Sequence, residues 1–212
     1  MTDESLKEEI LINVTPSEVR AALLDNGVLQ EVYVERAARR GLISNIYKGR
    51  VLRVLPGMQA AFIDIGLDRT AFLHASDIAD SRMTENGDDV PNIRDLVREG
   101  DEIMVQVVKD PLGNKGARLT TYITLPSRHL VLLPRSEAVG VSARIEDEDE
   151  RARLRDMVDA MLADHDLRCG AIVRTAAEGA DREALAADLR YLLKLWGVVQ
   201  ERCRKSSVKT LV

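Results

Sequence analysis

The chain has 212 residues, of which 45% are hydrophobic, enough to build packed cores in one to three small domains. The net charge is −5, the acidic N-terminus has no long apolar run, and no stretch approaches the roughly 18 apolar residues that a membrane span needs. These features exclude a signal peptide and a membrane span, and two distant cysteines, Cys169 and Cys203, fit a reducing cytoplasm rather than a disulfide framework or a zinc site.

Three short strands are predicted first, at Ile10–Val14, Val19–Leu24 and Val28–Val34. Asn26-Gly27 separates the last two strands, and both residues tolerate positive φ, so this pair predicts a tight hairpin. A basic connector follows at Arg36–Gly41.

A second block reads as five strands with a longer excursion between the third and the fourth. The excursion contains a polar loop, Ser81–Asn92, and a short helical turn, Ile93–Arg98. This layout predicts an OB-fold barrel. The five predicted strands are Ile46–Val54, Ala60–Ile65, Ala71–His74, Glu102–Lys109 and Ala117–Thr124.

The third block mixes strands and helices, so the chain as a whole is predicted to be α+β. Helices are predicted at Asp147–Ala163 and Asp181–Lys205, because each shows an apolar stripe at helical spacing. The predicted strands of this block are Leu130–Leu133, Val141–Ile145 and Gly170–Arg174.

Charge is distributed unevenly despite the acidic total. Residues 36–63 and 111–136 contain no Asp or Glu but ten Lys and Arg residues, whereas acids accumulate at 77–102 and 146–150. Phosphate binding depends on the local potential, so the two basic stretches are candidates for contact with nucleic acid. Chance segregation of surface charge is the alternative. The ten basic residues are Arg36, Arg39, Arg40, Lys48, Arg50, Arg53, Lys115, Arg118, Arg128 and Arg135.

The only two phenylalanines, Phe62 and Phe72, fall on consecutive strands of the predicted barrel. OB-folds bind single strands by stacking bases on exposed aromatic rings beside a basic groove, and Lys48 and Lys115 would supply the phosphate contacts. Pattern alone favours the alternative, in which both rings are ordinary core.

Arg174 and Thr175 end a buried-type strand and could hold a terminal phosphate through a bidentate guanidinium and a hydroxyl. A surface arginine followed by a capping threonine is the alternative from spacing alone. Asp64 has no partner at metal-ligand spacing, so we expect it to accept turn amides rather than hold an ion. We assign no catalytic residue and no metal ligand in this chain.

Several motifs resemble the ribonuclease E/G family, and their residues are more similar to those of the G branch than to those of the E branch. They are NIYKGRV (Asn45–Val51), GMQAAFIDIG (Gly57–Gly66), AFLHASDI (Ala71–Ile78), VQVVKDPLGNKGARLTT (Val105–Thr121) and IVRTAAEG (Ile172–Gly179). The resemblance runs from about Ile10 to about Arg204. It implies an RNA-binding OB domain, a sensor for the 5′ monophosphate of RNA, and part of an RNase H-like subdomain at the N-terminus.

The resemblance also implies residue roles. Phe62, Phe72 and Lys115 match the RNA-binding face of the barrel, which reverses the core expectation for the two rings. Arg174 and Thr175 match the pair that grips the 5′ phosphate. Val131 matches a position near the first nucleotide. Where part of the family has consecutive arginines, this chain has Ala143-Arg144, so Arg144 alone is carried over.

These implications lead to three expected domains: an N-terminal β-element at 1–40, an OB domain at 41–124 and a 5′-sensor domain at 125–212. In the family, aspartates of a later domain hold magnesium for cleavage and a cysteine motif holds zinc for homo-oligomeric assembly. Neither motif occurs here, so we expect no cofactor in this chain and interpret it as a portion of a cytoplasmic endoribonuclease. A stand-alone OB-fold RNA-binding protein is the competing interpretation, and an unrecognised cleavage site within the chain is a third.

Overall fold

A computed structural model describes residues 8–78, 91–164 and 169–212. The chain divides into two compact units, Met1–Leu42 and Ile43–Val212. Most of the loop predicted at Ser81–Asn92 lies outside the described residues.

The first unit contains a three-stranded antiparallel sheet in the order β1-β2-β3, formed by β1 (Glu8–Val14), β2 (Glu18–Asp25) and β3 (Val28–Arg36). Asn26 and Gly27 have φ of 48° and 78°, the paired positive values that a two-residue hairpin needs. The three predicted strands and the predicted hairpin are therefore confirmed.

The second unit begins with a closed five-stranded barrel in the order β4-β5-β6-β8-β7, with β7 pairing back to β4. The predicted OB-like barrel is thus confirmed, including the short helix within its long excursion. Its elements are β4 (Ile46–Leu55), β5 (Ala60–Asp64), β6 (Ala71–His74), α1 (Ile93–Leu96), β7 (Glu102–Lys109) and β8 (Arg118–Thr120).

Strand β4 closes the barrel because it pairs with both β7 and β5. Its first half pairs with β7 and its second half pairs with β5, with a register shift between Val51 and Arg53. Bulges of this kind bend a strand and allow a sheet to close. Gly49 lies two residues before this shift, and an added Cβ there would stand 2.6 Å from Ile63 Cγ2, so β4 and β5 can approach this closely only with glycine at this position.

The rest of the second unit is a four-stranded sheet, order β11-β12-β10-β9, with two long helices. Both helices were predicted, and their apolar stripes pack into one core with the sheet. The elements are β9 (Leu125–Pro126), β10 (Leu130–Leu133), β11 (Val139–Val141), α2 (Glu148–Asp164), β12 (Gly170–Val173) and α3 (Arg182–Lys205). A last strand, β13 (Thr210–Leu211), belongs to the barrel sheet.

The Glu150 carboxylate, which pairs with Arg153 within α2, also joins the first turn of α2 to the loop after β12. Glu150 accepts from the Arg153 guanidinium at 2.5 Å and 2.7 Å and from the Gly179 N–H at 2.8 Å. These bonds, led by that from Arg153, lower the pKa of Glu150 from 4.5 to about 2. The carboxylate therefore remains ionised well below ordinary acidic pH.

Two predicted strands were wrong in extent. The last barrel strand ends at Thr120 rather than Thr124, because the buried Gln106 side chain binds Thr124 instead. Its Oε1 accepts from Thr124 N at 2.8 Å, and its Nε2 donates to Thr124 O at 2.9 Å. The strand predicted at Val141–Ile145 lies at Val139–Val141, and Ser142–Ile145 form a turn closed by Ile145 N–H to Ser142 O at 3.1 Å.

The C-terminal residues join the barrel to the helical sheet domain. Strand β13 was not predicted; it pairs with the edge of β4, with Thr210 opposite Lys48. Ile46 of β4 is buried in the same core as β10, β12 and α3, and Val212 packs against it. The barrel and the sheet domain therefore share a hydrophobic core.

Candidate nucleic-acid interface

Phe62 and Phe72 lie side by side on the outer surface of the barrel. They are paired residues of β5 and β6, and their ring centroids are 6.4 Å apart at 67°, an edge-to-face arrangement. Their strand neighbours Ile63 and Leu73 are fully buried inside the barrel, and strand alternation therefore turns both phenylalanines outward. The rings are half-buried on the surface, not part of the barrel core.

The two rings line a groove of about 980 Å³ between the β5–β6 and β7–β8 loops. These loops are fastened together. An added Cβ at Gly116 would stand 1.9 Å from Thr70 O, so only glycine permits this approach, and Arg69 donates to the Gly113 carbonyl. The groove walls are therefore held by a close backbone approach and by a hydrogen bond from a side chain to the backbone.

Cations predominate around the groove. Lys109 and Lys115 are exposed on its rim, and Asp68 and Asp110 also line it. Arg118 lines it too, but its Nε and Nη2 donate to Asp77 Oδ2 at 3.0 Å and 2.9 Å. Lys115 is thus brought beside Phe62 and Phe72, as the residue pattern and the resemblance implied, although its role in binding stays a prediction.

Lys48 is not brought to this groove. Its Nζ lies 3.0 Å from Glu102 Oε2 and donates to the Ser206 carbonyl at 3.1 Å, near the end of α3. The pKa of Glu102 is lowered, first by the hydrogen bond from Lys48. The predicted phosphate contact at Lys48 therefore needs correction, because this side chain stabilises the contact between barrel and α3.

Arg53, which was not chosen as a site residue, is exposed and pairs opposite Phe62.

A second pocket, of about 460 Å³, lies at the end of β12. It brings together Arg144, Arg174 and Thr175, which were expected to share a phosphate site, and adds Ser142. The Ser142 and Thr175 hydroxyl oxygens are 3.1 Å apart, and the Arg144 N–H donates to Ser142 Oγ at 3.4 Å. Two guanidinium groups and two hydroxyls can supply the donors that a phosphate monoester accepts.

The Ser142 turn is itself held by Arg151 of α2, which donates from Nη1 to Ser142 O at 2.8 Å and to Ile145 O at 3.3 Å. Sequence reasoning missed Ser142, because it placed this segment in a strand. The sequence did offer one indication of its role, because Ser142 lies only two residues before Arg144, a predicted phosphate-binding residue.

Val131 lies on β10 directly opposite Ile172 of β12, which lines the phosphate pocket and is 39% exposed. Val131 is half-buried on the same outward face. The two side chains form a small apolar surface beside the pocket, suited to contact with a base or ribose.

Asp64 does not fit a magnesium site. Its Oδ1 accepts from Gly66 N–H at 3.0 Å and its Oδ2 lies 2.6 Å from Lys209 Nζ. These contacts, led by Lys209, lower the pKa of Asp64. Within residues 8–78, 91–164 and 169–212, no three His, Cys, Asp or Glu side chains are grouped to hold a metal ion.

No helix in the described part of the chain is long and apolar enough to cross a membrane. Cys169 is buried and Cys203 is partly exposed, and both are free.

Comparison with known proteins assigns the same two regions. Residues 43–121 match the S1 RNA binding domain, and residues 124–212 match the ribonuclease E/G family. Residues 124–212 are thus similar to the ribonuclease E/G family.

Its relatives include ribonuclease G of Salmonella typhimurium, 57% identical over 206 residues, and ribonuclease G of Escherichia coli strain K12, 56% identical over 206 residues. Both alignments cover 95% of this chain and 42% of the relative. Ribonuclease E of Escherichia coli strain K12 is 38% identical over 209 residues, covering 97% of this chain and 19% of that protein. Identity is higher to these ribonucleases G than to this ribonuclease E, as the motif wording predicted.

Proposed function

We propose that the barrel groove binds single-stranded RNA by stacking bases on Phe62 and Phe72, with Lys115 and Lys109 contacting phosphates. The observation that carries this proposal is the outward position of the aromatic pair in a groove rimmed by lysines. Every base has a π-face, so stacking of this kind binds single strands with little sequence preference.

The pocket at Arg174 then reads the 5′ end of the same RNA. A 5′ monophosphate carries more negative charge than an internal phosphodiester and has three terminal oxygens. Arg174, Thr175, Arg144 and Ser142 can donate to those oxygens, whereas a 5′ hydroxyl would leave the donors unpaired. Val131 contacts the first nucleotide.

In the whole protein these two sites serve a ribonuclease G-like endoribonuclease of the cytoplasm that acts in ribosomal RNA maturation and messenger RNA decay. The name ribonuclease G of these relatives supports the ribonuclease part of this proposal, and the chain spans 42% of their length. Cleavage with magnesium, zinc binding and homo-oligomeric assembly belong to the part of that protein not shared with this chain.

Binding of matched single-stranded RNAs that carry a 5′ monophosphate, a 5′ hydroxyl or a 5′ triphosphate tests both sites. We expect the monophosphate RNA to bind most tightly, because the triphosphate fits a small pocket poorly. Arg174→Ala should abolish the difference among the ends and leave the affinity for 5′-hydroxyl RNA unchanged. Arg155→Ala, which removes an exposed arginine of α2, is the matched control.

Two results would contradict the proposal separately. Equal affinities for all three ends in the wild-type protein would remove the sensor assignment and leave the barrel assignment intact. Loss of all RNA binding in Arg174→Ala would mean that the barrel groove is not an independent site.

A further inference from the structure

The turn between β9 and β10 holds Arg174 at two points. The Arg174 N–H donates to the His129 carbonyl at 2.8 Å, and its guanidinium Nη1 donates to the Ser127 carbonyl. The turn is closed by a bond from Ser127 N–H to Leu130 O at 2.8 Å. Both the backbone and the side chain of Arg174 therefore depend on where this turn lies.

One carboxylate oxygen from α3 fixes the turn. Asp188 Oδ2 accepts from Ser127 Oγ at 2.6 Å, from His129 N–H at 2.7 Å and from Leu130 N–H at 3.2 Å. His129 Nδ1 stands 3.7 Å from the same oxygen, too far for a hydrogen bond. Burial raises the pKa of Asp188, but the bonds from Ser127 and the two amides outweigh it and leave the pKa below its ordinary value.

We propose that Asp188 is a positioning residue for the phosphate pocket, which directs Arg174 into the pocket by fixing the Ser127–Leu130 turn. This inference rests on the proposed function of the pocket. Asp188 is not among the pocket-lining residues, so it acts through the turn and not on the phosphate.

The chemistry of the guanidinium makes this anchoring useful. Arginine has five N–H donors in a fixed planar fork, so holding one of them on a carbonyl orients the others. A long side chain held in one direction loses less freedom when it binds a phosphate, which increases affinity without a new contact. The Ser127 carbonyl accepts the hydrogen bond that orients the Arg174 guanidinium, and Asp188 fixes the position of that carbonyl.

If Asp188 had only a structural role, it would join α3 to the sheet without affecting the phosphate pocket. The conservative variant Asp188→Asn distinguishes this role from the positioning of Arg174. Asn in place of Asp188 keeps one oxygen that can accept all three bonds, whereas Ala removes it and leaves two backbone N–H groups without an acceptor. Gln200→Ala, at an exposed position of α3, is the matched control.

The first measurement uses no RNA. The guanidinium NMR resonance of Arg174, identified as the one absent from Arg174→Ala, reports whether its side chain is held. We expect this resonance to shift and broaden in Asp188→Ala and to keep its position in Asp188→Asn and Gln200→Ala. An unchanged resonance in a folded Asp188→Ala protein overturns the proposal.

The second measurement is the ratio of Kd for 5′-hydroxyl RNA to Kd for 5′-monophosphate RNA of the same sequence. Asp188→Ala should lower this ratio about threefold or more, since a charge-assisted hydrogen bond is no longer aligned, and Asp188→Asn should keep it within about twofold. An unchanged ratio in Asp188→Ala, or an equal loss in Asp188→Asn, overturns the proposal.

Two other results of these measurements also test the proposal. Should Asp188→Ala not fold, Ser127→Ala removes the shortest of the three bonds but keeps the carbonyl, and unchanged resonance and ratio in that variant overturn the proposal. A wild-type ratio of one would remove the sensor function itself, and the resonance alone would then decide whether Asp188 holds Arg174.

Discussion

Replacement of Phe72 by Ala is the most direct test of the barrel groove. Stacking of a base on an aromatic ring is worth about 1–3 kcal/mol, so the Kd for single-stranded RNA should rise about five- to 150-fold. The ring is half-buried on the outer surface and its edge-to-face contact with Phe62 is worth about 0.5–1.5 kcal/mol, so the fold should survive its removal.

The assay is fluorescence anisotropy with a labelled 5′-hydroxyl RNA, which isolates the groove from the phosphate pocket. Thermal unfolding of the same samples reports stability. Tyr191→Ala is the matched control, because Tyr191 is an aromatic residue on α3 that is 58% exposed and lies outside the groove. Wild-type affinity in a folded Phe62→Ala, Phe72→Ala double variant would refute stacking as the mode of binding.

Three further predictions follow from the charged groups. Lys115→Ala should lower the slope of log K against log salt by about 0.7, the value for one phosphate contact in single strands. Lys48→Ala should instead lower Tm and leave that slope unchanged, because Lys48 pairs with Glu102. The reverse result would contradict the placement of Lys115 in the groove and of Lys48 outside it. Because the folded pKa of Glu150 lies below its unfolded value near 4.5, its contribution to stability is complete above that pH and is lost as pH falls toward 2. The Tm of Glu150→Gln should therefore fall less than that of wild type over this range, whereas Glu148→Gln, 88% exposed, should follow wild type. Incubation of this chain with single-stranded RNA and Mg²⁺ should give no specific products, and cutting that Asp64→Asn abolishes would contradict our interpretation of that residue.

Features set by local chemistry were predicted from the sequence alone. The Asn26-Gly27 hairpin follows from the tolerance of both residues for positive φ. The helix starts follow from Asp147 and Asp181, whose carboxylates accept from N–H groups of the first turn. Alternation of side chains in β6 likewise shows that Phe72 and Leu73 lie on opposite faces, although it does not say which face is inside.

Closure of the barrel determined that Phe72 lies on the outer face and Leu73 on the inner face. It also placed Lys48 outside the groove, because Lys48 and Glu102 are distant in sequence and meet only when β4 pairs with β7. The phosphate pocket depends on the tertiary structure in the same way: Arg144 meets Arg174 because β11 pairs with β12 and the chain then turns at Ser142. Sequence periodicity reports the surroundings of a residue within one element. The partner of a buried or charged side chain is set by strand register and packing between distant segments, and those arise only when the whole chain is folded.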